Sequence, residues 1–322
     1  MSVEGLVSTI IPVYNRPFLL QEAVASVLAQ TYRPIEIIII DDGSIDETGC
    51  VADRLSEAHS EVRAIHRQNG GPGAAREAGR LAAQGEFIQY LDSDDLLLPT
   101  KFELQVAGLR GCDDCVVAYG KTRFCVIGDR PTNIAWKRTG ERIVTMFPSF
   151  LRSRWWGTST PLYRRAVTDT VGPWTDLTNE EDWEYDCRIA STGARLHYCD
   201  AFVSEQRRAA GAHLSAEGSR DPVKLRDRAI AHKLILGHAI SAGISHQIPE
   251  MQHFARELFL VARQCGAAGL AEEARELFEL ARQASGTARS RGIDFVLYLA
   301  GARLLGWRAM GSLTCSLDQL RV

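Results

Sequence analysis

The 322 residues carry 37 Lys and Arg against 40 Asp and Glu, a formal net charge of −3. Hydrophobic residues make up 45% and charged residues 24%. This is ordinary globular usage, and it excludes disordered, collagen-like or coiled-coil character for the bulk of the chain. The near-neutral balance also excludes a dedicated nucleic-acid binder, which shows a basic excess.

The length predicts two domains, or one large domain with an appendage. Leu6–Val13 reads as a buried strand, and Pro17 opens a helix whose Leu20, Val24, Val27 and Leu28 share one face. Ile35–Ile40 is a β-branched run ending in Asp41-Asp42-Gly43-Ser44, and Asp46 is placed to cap the next helix. Val62–His66 reads as a third strand, Ala74–Ala83 as a helix after a glycine-rich turn, and Glu86–Leu91 as a fourth strand. Pro99 opens another helix. This β-α alternation predicts a mostly parallel sheet with helices on both faces, with ligands at the carboxyl ends of the strands.

Beyond Cys112 the pattern loosens. Val116–Tyr119, Arg123–Ile127 and Arg195–Cys199 are strand-like, and Asn179 is placed to cap a helix ending at Ser191. Residues 209–222 read as a polar, small-residue loop. From Val223 the chain reads as purely helical, with a hairpin turning at Gly266–Gly269 that resembles a single tetratricopeptide unit. Residues 286–322 hold five arginines and two aspartates. Within them, Phe295–Trp307 reads as a helix that either docks on the core or lies on a membrane surface.

The eight cysteines are scattered and read as the reduced thiols of a cytoplasmic protein. Cys112 and Cys115 form the one CxxC pair, without the second pair that zinc needs. Met1–Gly5 carries no basic region before an apolar stretch, and no apolar window approaches transmembrane length. The expectation is a cytoplasmic chain, at most peripheral at the inner face of a membrane.

Asp92-Ser93-Asp94 ends the fourth predicted strand, so both carboxylates reach one small volume. Hard cations such as Mg²⁺ or Mn²⁺ take such ligands and bridge to substrate phosphates. An acid at the end of the second strand can accept from a base or ribose. The Gly70–Gly73 turn is neither GxGxxG nor a Walker loop, and Tyr14-Asn15-Arg16-Pro17 stands where a dinucleotide fold puts its glycines. A nicotinamide dehydrogenase is therefore disfavoured. In Asn179-Glu180-Glu181-Asp182, acids suit a first helical turn, and Asp182 can deprotonate an acceptor hydroxyl.

Together these motifs resemble glycosyltransferase family 2, of the α/β GT-A fold. The resemblance is carried by residues 7–15, by Ile40-Asp41-Asp42-Gly43-Ser44, by residues 68–76, by Tyr90-Leu91-Asp92-Ser93-Asp94-Asp95 and by Glu181-Asp182-Trp183-Glu184. It implies a donor half over 1–110 and an acceptor half over 111–221; the helical region over 222–322 lies beyond the motifs. It further implies a nucleotide-sugar donor, UDP-linked, held by Pro12, Tyr14, Asp42, Gly71, Arg76 and Asp92. A divalent cation would sit on Asp94, Asp92 and His213. Asp182 would be the base of an inverting transfer to a glycan or lipid-linked acceptor, with Trp155, Trp156 and Glu181 at the acceptor pocket. Two departures stand out: Glu77 follows Arg76 where the family usually has Asn, and Glu205-Gln206-Arg207-Arg208 replaces a Tyr-Arg-x-His pattern. The competing readings are a nucleotide-sugar-binding scaffold that recruits a partner through its helical tail, and a nucleotidyltransferase. Three intact aspartates disfavour the first. A first loop without glycine disfavours the second.

Overall fold

The computed structural model describes residues 2–208 and 221–319. It divides into two compact units. Residues 2–146, 155–176 and 194–208 form one, and residues 147–154, 177–193 and 221–319 form the other.

Among the described residues, the first unit holds eight strands in one sheet. Its elements are β1 (Val3–Val13), α1 (Pro17–Leu28), β2 (Ile35–Asp41), α2 (Thr48–Ala58), β3 (Val62–His66), α3 (Gly71–Ala82), β4 (Gly85–Tyr90), β5 (Leu96–Leu97), α4 (Lys101–Arg110), β6 (Cys115–Val126), β7 (Leu162–Arg164), α5 (Arg165–Val171) and β8 (Arg195–Arg208). The strand order is β3-β2-β1-β4-β7-β6-β8-β5. The first four strands are parallel; β7 then pairs antiparallel with both β4 and β6, while β8 runs parallel to β6. The β-branched run of β2 is buried on both faces, as a central parallel strand requires. Register aligns Val13 with Asp41, and Asp41 with His66. The chain ends of β1, β2 and β3 therefore meet at one edge of the sheet. On the other side of β1, the Leu91 amide donates to the Ile10 carbonyl just beyond β4, so the polar strand ends gather along the same edge.

α3 approaches this sheet closely. A Cβ on Gly79 would lie 2.2 Å from Ile10 Cγ2. Asp46 is not the N-cap of α2: Glu47 holds that position without a side-chain cap bond, and Asp46, one residue earlier, accepts from the Thr48 amide at 2.9 Å. Pro99 does not open α4. Leu96–Leu97 pairs with β8 first, and the helix starts at Lys101, where the Gln30 side chain accepts from the Phe102 amide at 3.1 Å. The two strand pieces expected after Cys112 are one strand, β6, whose register shifts around Gly120 and Lys121. Cys112 and Cys115 form a disulfide, against the expectation of thiols throughout. The turn between α4 and β6, with the Cys115 amide donating to the Cys112 carbonyl at 3.0 Å, brings them together.

The second unit is helical among its described residues. It contains a 3₁₀ turn (Ser149–Leu151), α6 (Glu181–Ser191), α7 (Pro222–Ser241), α8 (Pro249–Ala267), α9 (Ala271–Arg289, kinked at Gly286), α10 (Ile293–Leu305) and α11 (Trp307–Gln319). No helix among the described residues is long and apolar enough to cross a membrane. The hairpin of α8 and α9 buries Phe254, Leu258, Val261, Leu277, Ala281 and Ala284, and Gly269 turns between them with φ 85°. Gly266 stays helical, because α11 crosses there: a Cβ on Gly266 would lie 2.8 Å from the Trp307 carbonyl oxygen.

The second unit takes in residues 147–154 and 177–193 as well as the later helices. Residues 177–193 belong with the later helices because their polar side chains bond to α7. Thr178 donates to Asp227 at 2.5 Å, Glu180 pairs with Arg228 and His232 at 3.0 Å each, and Glu184 meets His238 at 2.8 Å. These ties also displace the expected cap. Asn179 is not the N-cap; Glu180 holds that position in the left-handed region, with φ 61°.

Candidate active site

In the first unit, the loops after β1 and β2 are stitched together. Asn15 sits in the left-handed region (φ 52°), a conformation Asn tolerates better than most residues. Its amide donates to Ser44 Oγ at 3.0 Å, its side-chain oxygen accepts from the Ile45 amide at 2.9 Å, and the Arg16 amide donates to Thr48 Oγ1 at 2.8 Å. Tyr14 stands 45% exposed at the end of β1, beside partly buried Pro12.

Asp42 is buried. Its carboxylate accepts from the Gly70 amide at 3.1 and 3.2 Å and from the Gly71 amide at 2.8 Å, and pairs with Arg67 at 3.0 Å. One side chain thus joins the second motif to the glycine turn of the third. Neighbouring Asp41 is also buried. Burial works against its ionisation, yet hydrogen bonds from Ser44 and His66 hold its carboxyl below the ordinary value.

The Asp92–Asp95 turn follows β4. Asp92 pairs with Arg76 at 2.8 Å, and the buried Arg76 guanidinium lies 4.9 Å over the Trp174 ring. Asp94 pairs with Arg16 at 2.9 Å. Burial raises the Asp94 carboxyl, and the charge of Asp92 raises it further against the opposing effect of Arg16. Asp95 is fully buried and accepts from Ser159 at 2.6 Å and from Gln206 and the Arg207 amide at 2.9 Å each. Burial and its two acidic neighbours push it well up.

Asp92 and Asp94 are each about a quarter exposed, and each is paired with one arginine. Among the described residues no group of three or more His, Cys, Asp or Glu is gathered for a metal. Two hard carboxylates fit a Mg²⁺ or Mn²⁺ ion that takes its other ligands from water and substrate phosphate. His213 lies outside the described residues.

Sequence reasoning missed several participants. Arg16 was not singled out, although it directly follows Tyr14-Asn15 at a strand end. The Arg207-Arg208 pair reads from sequence either as a diphosphate contact or as solvated surface, yet Arg207 is buried; it donates to the Asp94 carbonyl at 2.6 Å and pairs with Glu22 at 2.8 Å, so β8 braces the acidic turn. The departure at Glu77 has a local role: its carboxylate binds Arg80 at 2.7 Å and accepts from the Trp174 amide at 3.2 Å, next to Arg76.

The expected pocket tryptophans are a correction. Trp155 and Trp156 are 2% and 0% exposed. The Arg138 guanidinium lies 3.9 Å over the first ring, and the second packs on Tyr119 at 5.1 Å, so both are core.

In the second unit, Asp182 lies in the first turn of α6 and is 29% exposed. It pairs with Arg154, whose Nε donates to the fully buried Asp186 at 2.6 Å. Trp183 anchors the same turn by donating to the Phe150 carbonyl at 2.9 Å. Glu181 is buried, at 6% exposure, and so offers little surface to an acceptor.

Residues 8–166 match the family model described as Glycosyl transferase family 2. The chain carries a glycosyltransferase family 2 domain. An uncharacterized glycosyltransferase of Rickettsia felis is 36% identical to it over 147 residues, which are 46% of this chain and 24% of that protein. The chain thus spans about a quarter of the length of that curated relative. Among solved structures, S. aureus TarS 1-349 in complex with UDP-GlcNAc superposes with a TM-score of 0.69 at 20% identity, covering 97% of this chain and 91% of that one. The mannosyltransferase PcManGT of Pyrobaculum calidifontis, in complex with GDP-Man and Mn2+, gives 0.52 at 16% identity, covering 98% and 86%. These likenesses bear out the GT-A fold. The family 2 match ends at residue 166, so it contains both acidic strand ends and the glycine turn, but not Asp182.

Proposed function

We propose that the chain transfers a sugar, with inversion, from a UDP-linked donor to a hydroxyl of a glycan or lipid-linked glycan on the cytoplasmic side of surface-polysaccharide assembly. The observation that carries this reading is the Asp92–Asp94 pair at the end of β4, inside a family 2 domain. The likeness to a protein solved with UDP-GlcNAc supports the donor class, and the likeness to one solved with GDP-Man and Mn2+ supports a cation.

In this reading Tyr14 stacks on the base and Asp42 bonds its ring nitrogen, with Pro12 and Gly71 beside them. Arg76 orients Asp92 toward the ribose or sugar. Asp94 and Asp92 would hold the divalent cation, which would supply positive charge against the departing diphosphate. Asp182 accepts the proton of the acceptor hydroxyl as its oxygen bonds to the anomeric carbon. The bond from that carbon to the diphosphate oxygen breaks on the opposite face, and its electron pair leaves with the nucleotide. A positioned base of this kind contributes roughly 10²–10⁴-fold. Arg154, anchored on Asp186, orients the Asp182 carboxylate.

The test is a thermal-shift panel of UDP, GDP, CMP and dTDP, each with and without Mn²⁺, on wild type and Asp94→Ala. A ligand at a hundredfold excess over Kd stabilises by about 2.7 kcal/mol. The expected result is a UDP shift that needs the cation and is lost in Asp94→Ala. A folded protein that shifts with none of the four sinks the proposal.

A further inference from the structure

α10 is apolar on two opposite sides. Phe295, Tyr298 and Ala302 are buried, Phe295 stacking on Phe259 at 4.9 Å and Tyr298 on Phe278 at 5.6 Å. On the other side Ile293, Val296, Leu297 and Leu304 are 76%, 55%, 61% and 85% exposed. With exposed Ala300 they fall at i, i+3, i+4, i+7 and i+11, which is one stripe along the helix. Leu305, and Leu313 and Leu317 of α11, add further exposed apolar surface. Scattered exposed leucines are ordinary. A helix that is apolar all round, however, belongs under cover on every side, and a contiguous exposed patch marks an interaction surface.

The surrounding charge selects the occupant. Among the described side chains from 289 to 317, four arginines (Arg289, Arg291, Arg303 and Arg308), all exposed, stand against Asp294 alone, and Asp294 pairs with Arg289 at 3.4 Å. Of the acids of α9, Glu273 pairs with Arg226 at 3.0 Å, Glu276 with Lys233 and Glu279 with Arg282 at 3.0 Å. A second copy meeting this face about a twofold axis would set arginine against arginine. A bilayer surface rich in anionic headgroups takes both features: the stripe enters the acyl boundary while the arginines reach the phosphates.

We propose that the outer face of α10, with its arginine rim, docks on an anionic membrane surface. The inference does not depend on the transfer reaction.

The test is co-sedimentation of the full chain with vesicles of phosphatidylglycerol in phosphatidylcholine, against vesicles of phosphatidylcholine alone. The expected result is salt-sensitive binding to the anionic vesicles only. In the double variant Leu297→Glu/Leu304→Glu, partitioning drops by at least about tenfold per residue, from the area each leucine would bury. Both side chains are exposed, so the melting temperature stays at the wild-type value. Arg303→Glu/Arg308→Glu removes most of the salt-sensitive part. Light scattering runs in parallel. The proposal is overturned if wild type ignores anionic vesicles, if the leucine variant binds them equally well, or if wild type is a dimer that the leucine variant disperses. The last outcome would assign the face to a second copy.

Discussion

Replacing Asp42 tests how the second and third motifs are joined. Its carboxylate holds two amides at the start of α3, at 2.8–3.2 Å, and pairs with Arg67 at 3.0 Å while itself buried. Hydrogen bonds to a charged group contribute about 1.5–3 kcal/mol each. Gly70 is exposed and Gly71 half-buried, so their amides regain water once the acceptor is gone. Loss of an acceptor at a helix N-terminus costs about 0.5–2 kcal/mol. With the Arg67 pair added, Asp42→Ala is expected to lose about 2–3 kcal/mol, or roughly 4–12 °C in melting temperature. Asp42→Asn keeps an acceptor and loses less. Arg67→Gln, at a partly exposed position, loses about 1 kcal/mol or less. Differential scanning calorimetry of the three variants gives the ranking. If Asp42→Ala melts within about 2 °C of wild type, the carboxylate is not what fixes the glycine turn. Nucleotide shifts on the same samples then separate scaffold from reader. In Asp42→Asn, a retained melting temperature with a lost UDP shift assigns base recognition to the carboxylate as well.

Gly79→Ala would drive a Cβ to 2.2 Å from Ile10 Cγ2. We expect at least about 1–3 kcal/mol of destabilisation in urea unfolding, and a much smaller cost for the same substitution in an Ile10→Ala background; independent, additive effects would contradict this contact. Glu184 is buried, which opposes ionisation, but hydrogen bonds from His238 and Arg188 outweigh this and hold its carboxyl below the ordinary value. Its stabilisation is therefore complete above the ordinary glutamate range and is lost as pH falls through the lower folded value. Wild type should lose melting temperature below about pH 5 more steeply than Glu184→Gln, and parallel curves would refute the assignment. Asp182→Asn should retain the UDP shift while transfer falls by roughly 10²–10⁴-fold. Equal transfer by the variant would remove Asp182 from the reaction.

The first four strands are legible because their signals are local: a β-branched run, a proline at a helix start, a polar cluster where each strand stops. The rest turned on partners distant in sequence. Glu205 to Arg208 are polar enough to suggest a loop, but they pair with β6 and carry β8 to Arg208. Leu96–Leu97 is too short to declare itself a strand until Glu205 and Ser204 lie beside it. Asn179 has the right chemistry for a cap, yet Arg228 and His232, about fifty residues on, fix Glu180 instead. Trp155 and Trp156 suggest a pocket because the family resemblance puts them on the acceptor side. Arg138 and Tyr119, which bury them, give no such sign in the sequence.

The acidic turn after β4 shows the same limit at one site. Spacing alone selects Asp92 and Asp94 as a pair and passes over Asp95. In the structure three nearby carboxylates meet three different fates, each set from elsewhere in the chain. Arg76 from α3 takes Asp92, Arg16 from the loop after β1 takes Asp94, and Ser159 with β8 takes Asp95 into full burial. The division has an electrostatic consequence. Burial and the charge of Asp92 raise Asp94 despite Arg16, and burial with the charges of Asp92 and Asp94 raises Asp95. Two carboxylates thus stay partly exposed, each held by an arginine from a different element, while the third is sealed by β8 at the edge of the sheet where Tyr14 also stands exposed.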